Sequence, residues 1–189
     1  MKDEIIIIFG RSPFINEITG VIPQLIENYH TIGINQFYQS FLTEYTAFAD
    51  LLKPCNLPNI QGKLIMSTFA SPYWLDYEQK EVFELIHNRF EFSETHDKLN
   101  YFFHTPSIAL NWAYLKGFKK VILAGVDLIP NTAHFDSPHF VPNWSDDNIK
   151  LARQHLENVA SRYFDLFTLN PKSEINLPLM NVNELVKKG

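Results

Sequence analysis

Cysteine is almost missing from this chain. Cys55 stands alone among 189 residues, which excludes an internal disulfide and a cysteine-ligated metal cluster. Glycine is scarce too, at seven, a low count for a domain that must reverse its chain many times. No run of Lys and Arg exceeds a pair (Lys119-Lys120, Lys187-Lys188) and the formal charge is −5. A nucleic-acid partner gripped through a basic face is therefore excluded. The apolar stretch Ile5 to Phe9 is too short for a membrane-spanning helix or a signal-peptide core. With a composition suited to a reducing cytoplasm, these absences lead us to expect a soluble, cytoplasmic protein. A peripheral contact at the inner membrane surface is left open.

What the chain does have is rings. Sixteen Phe, eight Tyr and three Trp will build its core and the walls of any cavity. The hydrophobic fraction of 46% and charged fraction of 20% are those of an ordinary globular protein, and the length is that of one domain.

Glu4 to Phe9 (EIIIIF) is closed by Gly10 and reads as a central strand covered on both faces. Short helices are expected between Gly10-Arg11-Ser12-Pro13 and Ile26. Thr31–Ile34, Tyr45–Ala49, Lys63–Met66, Lys120–Ala124 and Asp165–Leu169 read as further strands. The spacing of Val82, Phe83, Leu85 and Ile86 predicts a helix over 78–88. Thr105-Pro106 opens another, with Thr105 as N-cap and Gly117 as its stop. A long helix over 146–163 and a short one over 183–187 complete the pattern. Alternating strands and helices predict a single Rossmann-like α/β domain over 1–189, mostly parallel, with helices on both faces. Residues 129–147 form a loop or lid.

In such sheets ligands bind beyond the carboxyl ends of the strands, where strand order reverses. That rule selects Gly10, Arg11 and Ser12 after the first strand, Asn35 and Gln36 after the second, and Asp50 after the third. It also selects Asp127 after Lys120–Ala124. Thr105 and Ser107 open a helix whose amides and dipole favour an anion. Backbone N–H groups at Gly10 and at this helix start would meet a phosphate, while Asn35 and Asp50 would read a ribose or base. Each residue also has a plain structural alternative: Thr105 as a cap, Asn35 as a turn residue, Asp127 as a cap. Gly10-Arg11-Ser12 lacks the later glycines of a dinucleotide fingerprint, and no P-loop triplet exists. The long loop carries His134, Asp136 and His139. A histidine beside a carboxylate can act as a general base, but this spacing matches no zinc site, so no metal is expected. His30, His87, His96 and His155 read as surface residues, and Cys55 as a small apolar filler.

Taken in order, these segments resemble the bacterial sialyltransferases of glycosyltransferase family 42 and the related domain family of unknown function 115. Ile5–Pro13 is similar to that family's first strand and Gly-Asn-Gly-Pro-Ser turn, and Asn35-Gln36-Phe37-Tyr38 to its Asn-Gln-Phe-Tyr segment. Thr46–Asp50 resembles its third strand, and His104–Ser107 its Thr-Ser-Gly helix start. Gly117–Asp127 and Leu166–Ser173 resemble its later strands. The resemblance implies a glycosyltransferase A-type fold that binds a CMP-sugar as donor without metal or other cofactor. A glycan hydroxyl would be its acceptor, and Gly10, Asn35, Asp50 and Thr105 would hold the nucleotide. Where the family has a first lid tyrosine this chain has Ile129, and Asn143 falls at the family's catalytic histidine. His139, with His134 second, is then the candidate base, and Arg11 or His134 the cation facing the phosphate. Two further readings stand: a non-catalytic relative that binds a nucleotide or glycan, and a pterin pyrophosphokinase-like transferase.

Overall fold

Four consecutive side chains, Ile6, Ile7, Ile8 and Phe9, are completely buried because their strand has neighbours on every side. Strand β1 (Ile5–Phe9) pairs in parallel with β2 (His30–Ile34) along one edge and β7 (Lys120–Ala124) along the other. Successive side chains point to opposite faces of a strand. Ile6 and Ile8 accordingly enter one apolar layer, Ile7 and Phe9 another.

The computed structural model describes residues 4–48, 62–68, 78–88, 90–102, 104–130, 132–136 and 145–188. Among these, the remaining strands are β3 (Tyr45–Phe48), β4 (Lys63–Ser67), β5 (Lys80–Ile86), β6 (Lys98–Asn100) and β8 (Asp165–Thr168). They join one sheet in the order β6-β5-β4-β3-β2-β1-β7-β8, with parallel ladders throughout. Strands run outward from β1 on one side and from β7 on the other. The sheet therefore reverses its winding between β1 and β7.

Helices α3 (Thr105–Leu115) and α4 (Asp146–Asn158) cover the first layer through Ile108, Trp112 and Leu156. Helices α1 (Phe14–Ile18), α2 (Ile22–Asn28) and α5 (Val182–Lys188) cover the second through Ile15, Leu25 and Leu185. Each Ile or Leu so buried contributes about 1.5–3 kcal/mol. The expected Rossmann-like architecture, helices on both faces of a parallel sheet, is the one observed. No helix among the described residues is long and apolar enough to cross a membrane.

Several local expectations are corrected. Residues 80–86 form strand β5, not a helix. The segment lies between β4 and β6, with Met66 opposite Val82 and Leu85 opposite Leu99. Two flanking ladders satisfy its backbone, and Val, Phe and Ile suit a pleated surface. Its few apolar residues fit either period. Strand and helix do not alternate throughout: β2 and β3 are joined by a 3-10 turn over Asn35–Gln39. The N-cap of α3 is His104, not Thr105. Helix α4 stops at Asn158 and tightens into a 3-10 turn at Ala160–Arg162, since Asn158 and β-branched Val159 are weak helix formers. His155 is not a surface residue: it is 2% exposed on the inner side of α4. The expected sites Asp50 and His139, along with Cys55 and Asn143, lie outside the described residues.

Candidate functional site

The turns that leave β1 and β7 touch each other. The Gly10 amide donates to Ala124 O at 2.7 Å and the Ser12 amide to Gly125 O at 3.0 Å. Gly125 has φ +71, a backbone region where glycine alone is free of strain, and it lets the chain swing away from the sheet. A cleft of about 160 Å³ opens beyond these turns. It lies at the β1–β7 boundary, where the winding reverses, as the rule for open parallel sheets requires.

Five separate segments furnish its polar wall. From the β1 turn come Gly10, Arg11 and Ser12; from the end of β2, Asn35; from the start of α3, Thr105. Asp127 follows β7, and His134 comes from a strap over 132–136. Asn35 has φ +53, which Asn tolerates better than most residues. Its side-chain oxygen lies 3.4 Å from the Thr105 hydroxyl, which donates to it.

Asp127 is 2% exposed. Its Oδ2 accepts the Ser12 hydroxyl, while Oδ1 is buried and meets no close hydrogen-bond partner among the described residues. Burial pushes this carboxyl above the usual range, against the opposing pull of Ser12 and Asn170. The Arg11 guanidinium grips Asp136, with Nε at 3.1 and 3.0 Å from its two oxygens and Nη2 at 2.6 Å from Oδ1. Its Nη1 donates to Gln36 Oε1. Burial first, and the Arg11 charge second, lower the His134 pKa from its ordinary value, while Asp136 works the other way. His134 is thus neutral at pH 7 and able to take a proton. The cleft combines a permanent cation, a neutral imidazole, a buried carboxyl and three hydroxyls.

Of the residues picked out in the sequence, Gly10, Arg11, Ser12, Asn35, Thr105 and Asp127 share this cleft, as does His134. Gln36 turns to Arg11 instead of the cleft. Ser107 is fully buried behind it, its hydroxyl donating to His104 O at 2.7 Å and accepting from the Phe102 amide. The anion-binding amides expected here are fewer than supposed. The Gly10 amide is taken by Ala124, Pro106 has none, and the Ser107 amide is capped by His104. Asp136, 125 residues from Arg11 in the chain, carried no signal that could pair it with that residue. Among the described residues no group of three or more His, Cys, Asp or Glu stands together as a metal centre.

No family model matches the chain, and no curated protein matches it in sequence. Among solved structures it is similar to the MAf glycosyltransferase from Magnetospirillum magneticum AMB-1, with a TM-score of 0.70 over 97% of this chain at 14% identity. The match takes in 34% of that protein, so the chain spans about a third of its length. At that identity the likeness shows a shared fold alone, the Rossmann-like α/β sheet.

Proposed function

We propose that the chain is glycosyltransferase-like and binds a nucleotide-sugar in the β1–β7 cleft, with a CMP-sugar as donor and a glycan hydroxyl as acceptor. The observation that carries this reading is the convergence of Arg11, Asn35, Thr105, Asp127 and His134 on one cleft at the reversal of the sheet. The fold shared with a protein described as a glycosyltransferase supports it. In an inverting transfer the acceptor oxygen attacks the anomeric carbon while the bond from that carbon to the phosphate oxygen breaks. The electron pair leaves with the phosphate, and the hydroxyl proton passes to a base. Arg11 would stabilise the departing phosphate and neutral His134 would accept the proton; His139 is the other candidate base. Asn35, Thr105 and Asp50 would hold the nucleoside.

Calorimetric titration with CMP tests this. Wild type should bind, and Arg11→Ala should weaken binding by roughly 10- to 100-fold, the worth of a hydrogen bond to a charged group. Absence of binding by folded wild-type protein would refute the reading. A second reading, binding without transfer, is favoured by Ile129, an apolar residue in the cleft wall where the resembled enzymes carry a tyrosine. CMP binding with no release of sugar from any CMP-sugar would select it.

A further inference from the structure

The cation of the cleft is already engaged. Three Arg11 hydrogen bonds end on one carboxylate, that of Asp136, in the forked geometry by which guanidinium groups also hold phosphate. The two side chains are 11% and 9% exposed, so the pair is shielded from solvent but not sealed. The main chain is tied at the same place: the Phe135 amide donates to Arg11 O at 2.9 Å. The Phe135 ring packs 5.9 Å from Phe37. Thr132, Ala133 and His134, immediately before this anchor, form part of the cleft wall. One ion pair therefore fixes both the guanidinium of Arg11, a residue of the cleft wall, and the strap that contributes to that wall.

We propose that Asp136 is a built-in stand-in for the ligand's phosphate: a phosphate entering the cleft takes over the Arg11 fork, and the strap over 132–136 is released as Asp136 departs. This rests on the reading of the cleft as a nucleotide-sugar site, and it names how that site is regulated. The exchange is physically reasonable because a shielded ion pair gains little net energy, its attraction being largely offset by lost hydration. A phosphate brings more charge to the same donors, while Asp136 regains water. Gln36, on the remaining arm of Arg11, keeps the guanidinium oriented during the exchange. Because the unliganded cleft holds its own competitor, its apparent affinity lies below its intrinsic affinity by the fraction of molecules with the strap released.

The test compares wild type with Asp136→Asn, which keeps the shape and removes the charge. Binding of CMP and of inorganic pyrophosphate is measured by calorimetry, and protection of the Phe135 amide by hydrogen exchange. The variant should bind CMP at least tenfold more tightly than wild type and exchange its Phe135 amide faster without ligand. In wild type, saturating CMP should accelerate that amide; in the variant it should add nothing. Equal or weaker CMP binding by Asp136→Asn overturns the exchange, as does slower Phe135 exchange in CMP-bound wild type. If pyrophosphate accelerates the amide while CMP does not bind, the nucleotide reading fails and the exchange stands. If neither anion accelerates it, the exchange is wrong.

Discussion

Gly10→Ala is expected to destabilise the protein by about 3 kcal/mol, lowering the melting temperature by roughly 6–12 °C. A Cβ at this position would overlap the Gly125 carbonyl oxygen and lie 2.8 Å from both Gly125 C and Val126 Cγ2. Two of these atoms are backbone and cannot step aside by changing rotamer. The turn is also pinned from within, because the Gly10 amide is bonded to Ala124 O. Relief would have to come from parting β1 and β7, the two strands between which the cleft opens. The same methyl group should therefore weaken CMP binding as well as the fold. Gly20 supplies the control: a Cβ there meets nothing within 4 Å among the described residues, so Gly20→Ala should change stability by less than about 0.5 kcal/mol. Thermal unfolding of both variants checks the contrast, and equal melting temperatures would contradict it.

The second large effect is loss of stability in acid through His155. Its ring stacks on Phe102 at 4.8 Å and meets the edge of His104 at 5.2 Å. Neither ring nitrogen has a hydrogen-bond partner among the described residues. Burial lowers its pKa from 6.5 to about 4, and burial together with His155 holds His104 well below its usual value. For a histidine with a lowered folded pKa, the unfolded chain binds the proton more readily. Stability is thus fully present above the unfolded value near 6.5 and falls as pH drops through it toward 4. His155 alone should remove about 2 kcal/mol between pH 8 and pH 5, and about 3 kcal/mol by pH 4. His104 acts in the same direction. Asp127, whose folded pKa is raised, acts in the opposite one, so the comparison must be between variants. His155→Phe keeps the stack on Phe102 and removes the proton site. Urea unfolding should show its stability falling about 2 kcal/mol less than wild type's between pH 8 and pH 5. Parallel losses in the two proteins would show that the imidazole is not the cause.

The fold was legible where burial is symmetrical. The run Ile5 to Phe9 identified a central strand because both of its faces are covered, and Lys120 to Ala124 likewise identified its neighbour. Strand β5 was not, because its exposed and buried residues follow no clean alternation, and its identity comes from the ladders on either side. The place of the cleft was legible too, since strand ends mark it and Gly10, Asn35, Thr105 and Asp127, which line it, are all strand-end or helix-start residues. What those residues do with their hydrogen bonds was not. That His104 takes the cap of α3, and that Asp136 takes Arg11, depends on packing between segments far apart in the chain. The burial of His155 was hidden for a related reason: α4 has polar residues on most of its turns, and only the docked helix shows which of them face inward.

On the proposed reading, the polar ends of β1, β2, α3 and β7 form one nucleotide site. A crystal structure of the protein soaked with CMP tests it most directly. The account requires density in the β1–β7 cleft, with the phosphate on the Arg11 guanidinium and the nucleoside against Asn35 and Thr105. CMP bound elsewhere on the molecule, with Arg11 still holding Asp136 and the cleft containing only solvent, would contradict it.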